Sequence, residues 1–319
     1  MLGGRAPRSE GTRGDGELRL SGPETRGTSG LVTLAAQPTG VDMDMSEVRR
    51  RVAASRVAPI AALPERLSAV ARFDAHLLRE SATWLLRSRE HTNYTYDLTP
   101  RNLEHLAWWV ATLTGVPVQQ IRTVIAEAQS DGELHEHIRH GIEASDRRGL
   151  ADRKVRLGRR LGWYALVRAL RPDHVVETGT DKGHGSVVLA AALLRNGRGR
   201  LTTIDIHPHS GYLISGPYAK VADRIVGDSI AALSDLRGVD IFLHDSLHTF
   251  EHEAAELAAI GPRLTPTALV LSDNAHATDA LMRWAEQSGR QFSFFREQPA
   301  EHWYPGSGIG AAIRTNPAP

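Results

Sequence analysis

The run Val175-Val-Glu-Thr-Gly-Thr-Asp-Lys-Gly-His-Gly-Ser186, followed by the apolar segment Val187-Val-Leu-Ala-Ala-Ala-Leu-Leu194, constrains the fold of this chain more than any other stretch. A β-branched pair, three glycines and a helix-forming segment predict a buried strand, a tight loop and a helix that opens over that loop. Such a loop is a ligand site. Glycine lets backbone approach a small molecule closely, and the helix N-terminus presents unpaired N–H groups to it. No Lys-Ser or Lys-Thr pair closes the loop, so it is not a Walker phosphate loop. Val188 stands where the third glycine of the dinucleotide fingerprint belongs, which disfavours an NAD-linked oxidoreductase.

Four further strand ends follow in order. Leu201-Thr-Thr-Ile-Asp205 ends in an acid 28 residues past Glu177, where a second parallel strand delivers a carboxylate suited to a ribose diol and ill suited to a 2′-phosphate. Arg224-Ile-Val-Gly-Asp-Ser229, Val239-Asp-Ile-Phe-Leu-His-Asp245 and Ala268-Leu-Val-Leu-Ser-Asp-Asn274 each run from apolar to polar residues. All of them should meet at one edge of a parallel sheet, where α/β folds place their ligands.

From Leu161 to Arg314 this pattern resembles the class I S-adenosylmethionine-dependent methyltransferases, and among them the small-molecule O-methyltransferases related to the macrocin and catechol enzymes. The resemblance implies a Rossmann-like, seven-stranded, mostly parallel α/β sheet with helices on both faces. Phe292-Ser-Phe-Phe295 and Gly308-Ile-Gly-Ala-Ala-Ile-Arg314 would be its final, antiparallel strands. It also implies that S-adenosylmethionine is the cofactor. Glu177, Gly179, Thr180, Gly183 and Ser186 would then hold the methionine part, Asp205 and Ile206 the ribose side, and Asp228 and Ser229 the adenine side, with Asp245 closing the site. Asp245-Ser-Leu-His248-Thr-Phe-Glu251 looks like that family's Asp-x-x-His-x-(Tyr/Phe)-Glu segment.

Methyl transfer needs an acceptor aligned with the donor and a way to remove the acceptor's proton. His248 is the first candidate base, with Asp245 beside it, because imidazole titrates near neutrality and the strand exit should aim it at the donor. A loop-bracing histidine is the other reading. His244 and His276 are further candidates, although His244 could equally face a helix. Asp245, Asp273 and Asn274 offer three oxygens at adjacent strand ends, a set that suits Mg²⁺. In the catechol-type enzymes this pattern binds the metal that activates an acceptor diol. Here Asp245 falls one place later than in those enzymes, and helix capping or loop bracing is the alternative role.

The front of the chain is different in kind. Residues 1–45 are rich in Gly, Arg, Ser, Thr and Glu and predict a disordered tail. Met43 and Met45 near its end leave room for an internal translation start. Residues 46–150 predict a helical region that serves as an N-terminal cap for the acceptor or as a dimer surface. The methyltransferase domain would occupy 151–319. Leu63, Leu67, Val70, Phe73 and Leu77 have helical spacing in a segment from Met45 to Ser88, Thr99-Pro100 predicts a capped helix start, and further helices are expected near 117–129 and 131–142. Tyr94 and Tyr96, in a loop with Asn93 and Asp97, are candidates for acceptor contact, as are His276, Trp303 and Tyr304, although tyrosines packed at a seam are the plainer reading. Trp108 and Trp109 adjoin on a helix and cannot both face one core stripe.

Composition narrows the partners. A net charge of +1 and 6% aromatics without basic interleaving give no nucleic-acid footprint. The basic run from Arg147 to Arg160 reads as a solvated face or as a patch for an anionic ligand. There are no cysteines, which excludes disulfides and thiolate metal sites. No 18-residue apolar stretch and no signal segment are present, so no membrane partner and a cytoplasmic location are expected. The expectation is an O-methyltransferase acting on a small hydroxylated molecule, a natural-product intermediate of antibiotic biosynthesis, as a homodimer with S-adenosylmethionine and with or without Mg²⁺. A metal-independent carboxylate or nitrogen methyltransferase and a non-catalytic nucleoside-binding subunit are the rival readings.

Overall fold

The computed structural model describes residues 45–91 and 93–314. The predicted tail and the internal start at Met43 therefore lie outside the described residues. The chain divides into two compact units, one up to Pro64 and one from Glu65. In the first, α1 (Met45–Ala53) and α2 (Ala58–Ala61) bury none of their residues. Helix α3 (Leu63–Arg87) begins at the boundary. It forms where the periodicity predicts a helix, but Leu63, Leu67, Val70, Phe73 and Leu77 are all exposed, Phe73 at 72%. Periodicity specifies which face of a helix is apolar and not what lies against it.

The second unit continues with β1 (Asp97–Leu98), α4 (Pro100–Thr114), α5 (Val118–Gln129), α6 (Gly132–Ala144) and α7 (Arg160–Leu170). The alternating part follows as β2 (His174–Thr178), α8 (His184–Asn196), β3 (Arg200–Asp205), β4 (Ala222–Val226), α9 (Ser229–Asp235), β5 (Val239–His244), α10 (Phe250–Ile260), β6 (Leu264–Ser272) and α11 (Ala280–Gln287). Three strands close the chain: β7 (Gln291–Arg296), β8 (Pro299–Ala300) and β9 (Gly308–Ile313). The large sheet has seven strands in the order β4-β3-β2-β5-β6-β9-β7. Its first five strands pair in parallel, and β9 runs antiparallel to both β6 and β7. From β2 the chain moves outward to β3 and β4, then returns to β5 on the other side. The order reverses there, so the carboxyl ends of β2 and β5 open a crevice, the usual ligand position in open α/β sheets.

Both faces of the sheet are covered, as its nearly continuous apolar strands require. Val175, Leu201, Ile241, Leu243 and Leu271 point into one core with Leu106, Trp163, Leu166 and Leu189. Their neighbours Val176, Ile204, Phe242 and Val270 point into a second core with Leu257, Ile260 and Leu281. The period-2 alternation of strands assigns these residues to opposite faces. Helices α4–α6 belong to the first core, because α4 and α5 pack on α7 and α6 packs on α8.

Local chemistry fixes the helix ends. Thr99 caps α4, its side chain accepting the Asn102 N–H, with Pro100 at the first position and Gly115 in the left-handed region at the end. Asp131 caps α6 by accepting the Leu134 N–H at 3.0 Å. Trp109 is buried and donates to Ser293 Oγ at 2.9 Å, while Trp108 is 54% exposed, as adjacent helical positions demand. Among the described residues no helix is long and apolar enough to cross a membrane.

Candidate functional site

The glycine loop leaves β2 at Thr178 and is pressed against the exit of β5. Gly179 has φ +88°, and a Cβ added there would lie 1.9 Å from the Asp245 carbonyl oxygen. Only glycine fits. Gly183, at φ +89°, starts α8 without a side-chain cap, which leaves the first N–H groups of that helix for a ligand. Beneath the loop, Glu177 is almost wholly buried, and its Oε2 accepts the hydroxyls of Ser186 and of Thr203, the latter at 2.7 Å. Burial pushes this carboxyl up to about 7, against the pull of the two hydroxyls. Thr180 shares a 2.6 Å hydrogen bond with Thr203.

A cavity of about 560 Å³ opens above the carboxyl ends of β2, β3 and β5. Gly179, Asp205, Ile206, Asp228, Asp245 and His248 line it, together with Ser229 and Asn274. Asp205 is held by the N–H groups of Asp181 and His207, each at 2.8 Å, which fixes the carboxylate at the rim. Asp228 caps α9 by accepting the Ala231 N–H at 2.8 Å, and Ser229 donates to Glu256 at 2.5 Å. Of the predicted donor-binding residues, Gly179, Asp205, Ile206, Asp228, Ser229 and Asp245 line this crevice, and Glu177, Thr180, Gly183 and Ser186 do not. Its size, its acid at the second strand and its glycine floor fit an adenosyl ligand.

Asp245 and Asp273, from the exits of β5 and β6, meet His248 at the other end of the crevice. One ligand atom from each lies within 4.8 Å of the others. His248 Nε2 is 3.7 Å from Asp245 Oδ1, and His248 Nδ1 is buried without a partner. Burial holds the His248 imidazole below its ordinary value, so it is neutral near pH 7. Spacing alone would admit a metal, but the charge does not. Asp273 is 1% exposed, and Arg159 grips both its oxygens, Nε to Oδ1 at 2.5 Å and Nη2 to Oδ2 at 2.8 Å. Burial and the neighbouring Asp273 push the Asp245 carboxyl well up, while Asp273 is held down chiefly by Arg159 against its own burial. A charged Asp245 beside Asp273 is therefore disfavoured, and a guanidinium already occupies the cation's place. The set Asp245, Asp273 and Asn274 does not fit Mg²⁺, which needs unpaired, ionised oxygens.

Other predicted residues lie elsewhere. Tyr94, Trp303 and Tyr304 pack on one another, and Tyr94 and Trp303 also pack on Trp84, with ring centroids 5.3–6.0 Å apart. Tyr96 is 2% exposed and donates to Glu297 at 2.5 Å. None of these lines the crevice, and neither does His276, which is exposed. The aromatic loops close a seam by mutual packing, the plainer of their two readings. His244 faces α10, with Nδ1 2.7 Å from Glu256. The residue from the front of the chain that does line the crevice is Asn93, bound through Nδ2 to Asp181 at 2.9 Å.

Sequence reasoning missed Arg159, Arg160 and Glu256. The two arginines close a basic run whose spacing does not distinguish a solvated face from a buried end. Glu256 sits in the apolar helix segment Glu253-Ala-Ala-Glu-Leu-Ala-Ala-Ile260 and accepts from Thr178, Ser229, Ser246, His244 and His252. Its signal was the spacing of His252 and Glu256 on one helical face.

Residues 176–275 match a family described as a methyltransferase domain. No curated protein matches the chain. Among solved structures, the O-methyltransferase TomG from Streptomyces achromogenes, involved in tomaymycin synthesis and in complex with SAM, is 18% identical. That match covers 57% of this chain and 90% of that one, with a TM-score of 0.46. An O-methyltransferase from Bacillus cereus in complex with SAH is 14% identical over 64% of this chain and all of that one, also at 0.46. A methyltransferase from Geobacter sulfurreducens is 18% identical over 56% and 89%, at 0.44. The family match spans β2 to the exit of β6, the segment that builds the crevice.

Proposed function

We propose that this chain is an S-adenosylmethionine-dependent methyltransferase that acts on an oxygen of a small hydroxylated molecule, without a divalent metal, and that His248 takes the acceptor's proton. The observation that carries this reading is the composition of the crevice. One end is lined by Gly179, Asp205 and Asp228 and the other by Asp245 and a neutral histidine whose neighbouring carboxylate is neutralised by arginine. When bound, S-adenosylmethionine supplies a methyl group on a sulfonium leaving group. The chain's own contribution is to hold that donor through Asp205 and the Gly179 loop, to orient the acceptor and to remove its proton. A neutral imidazole accepts a proton at Nε2 and, while unprotonated, adds no cationic charge beside the sulfonium. A small acceptor suits a cavity of about 560 Å³ that the adenosyl group must also share.

The test begins with calorimetric titration of S-adenosylhomocysteine. Binding that weakens at least about tenfold in Asp205→Ala supports the site, at roughly the value of a charge-assisted hydrogen bond pair. Labelled methyl transfer to phenols, sugars and nucleosides, run in a chelator, then tests the chemistry. His248→Gln should retain S-adenosylhomocysteine affinity and lose about 10²–10⁴ in turnover. No binding by the intact protein, or transfer that stops in the chelator, overturns the reading.

A further inference from the structure

Two buried polar atoms beside His248 and on it lack partners among the described residues, and they complement each other. His248 Nδ1 is one, and Glu253 Oε1 is the other. Glu253 is 2% exposed, and its second oxygen accepts the hydroxyl of Thr278 ahead of α11. The carboxylate is therefore anchored at one oxygen and free at the other. Helix geometry explains why the two side chains are neighbours. Thr249 caps α10, its side chain accepting the His252 N–H, so His248 precedes the cap and Glu253 is the fourth residue of the helix. Side chains at those two positions pack on each other across a helix start, usually as an apolar staple. Here the same positions carry an imidazole and a carboxylate.

The pairing decides which nitrogen of the ring is available. A neutral imidazole has one N–H and one lone pair, and the hydrogen bond made at one nitrogen sets the role of the other. Nε2 is the nitrogen on the Asp245 side, 3.7 Å from Oδ1. It can take a proton only when the ring's own hydrogen sits on Nδ1, and a buried N–H without an acceptor is costly. We infer that Glu253 is a positioning residue for His248: its free oxygen accepts the Nδ1 hydrogen and leaves the lone pair on Nε2. This rests on His248 being the base of the crevice. When the acceptor's O–H proton moves to Nε2, the imidazolium keeps its Nδ1–H on a carboxylate, which stabilises the new charge. His244 Nε2 is the rival partner, a buried orphan on a ring that stands edge-on with its centroid 5.4 Å away. A carboxylate is the stronger acceptor of the two. Among the groups acting on the imidazole, burial lowers its pKa most, Asp273 at the β6 exit and Glu253 raise it, and His244 and Arg159 lower it.

The test is NMR on the full-length protein with isotope-labelled histidine, the His248 signals being assigned by their loss in His248→Gln. Wild-type protein near neutral pH should show His248 as the Nδ1–H tautomer. Glu253→Gln keeps an acceptor oxygen without the charge, so it should keep that tautomer and titrate at lower pH than wild type. Glu253→Leu removes the acceptor and should lose the tautomer preference. In the labelled transfer assay it should lower kcat about 10-fold to 100-fold at unchanged KM, the usual cost of losing the outer partner of a working histidine. Both variants should bind S-adenosylhomocysteine as wild type does. Weakened binding in both would mean that Glu253 holds the shape of the crevice, and overturns the positioning role. An Nε2–H tautomer in wild-type protein overturns it too. An Nδ1–H tautomer that survives in Glu253→Leu makes His244 the acceptor and overturns this inference alone, whereas full turnover in His248→Gln overturns the base reading and this one together.

Discussion

At the scale of single residues, Arg159 decides what kind of chemistry the crevice supports. Its guanidinium supplies to Asp273 the positive charge that a metal would otherwise bring, in a place where charge is costly to leave unpaired. Two outcomes follow in calorimetry with Mn²⁺ as the probe ion. Wild-type protein should give no binding heat. Arg159→Gln frees Asp273 and, if folded, should bind the ion through Asp245 and Asp273, while losing about 3–5 kcal/mol of stability from a broken buried pair. Arg159→Lys, which keeps the charge, should not gain the ion. Wild-type heat that disappears in Asp273→Asn would show that the carboxylate is available after all. Neither Arg159 nor Arg160 was legible in the sequence, because a run of basic residues carries no record of which ones the fold turns inward. Asp205 and Gly179 were legible, since strand-end acids and positive-φ glycines have positions fixed by local geometry.

Elements meet at Glu256. This one carboxylate of α10 accepts from Thr178 at the end of β2, from His244 at the end of β5, from Ser246 beyond it, from Ser229 at the start of α9 and from His252 one turn back. It locks the strand ends that shape the crevice. Burial raises the Glu256 carboxyl, but the His244 hydrogen bond and charge and the hydroxyl donors outweigh it and hold it at about 2, below its ordinary 4.5. A depressed carboxyl contributes stability that is present above the unfolded value and is lost as pH falls from 4.5 toward 2. The loss should amount to about 3 kcal/mol in denaturant titrations repeated from neutral pH into acid. Glu256→Gln should be less stable at neutral pH and show a flatter acid limb. An unchanged acid limb would mean that another group governs it. Most elements were legible, because β-branched runs ending in Asp and the Thr99-Pro100 cap are local signals. Helix α7 was not, although eight of its eleven residues are buried.

Over the whole molecule, helices α4 to α7 are structural partners of the sheet. Leu106 of α4 is fully buried in the core that also takes Val175, Leu201 and Leu243, so α4 to α7 build one of the two layers covering the strands. The sequence placed α4 to α6 in a separate cap because periodicity assigns a face to each helix but no neighbour. Residues 45–64 differ, since α1 and α2 bury nothing and the crevice draws its lining from Asn93 onward. The contrast is testable with one pair of variants. Removing residues 1–64 should leave both the Tm and the S-adenosylhomocysteine affinity of the remaining chain within error. Leu106→Ala, a cavity in the shared core, should cost about 2–5 kcal/mol and lower the Tm by about 5–15 °C. Because Leu106 lines no part of the crevice, the folded variant should still bind S-adenosylhomocysteine normally. A truncation that lowers the Tm as far as Leu106→Ala does would place residues 1–64 within the same cooperative unit, and a Leu106→Ala protein of unchanged Tm would mean that α4 is not part of the core.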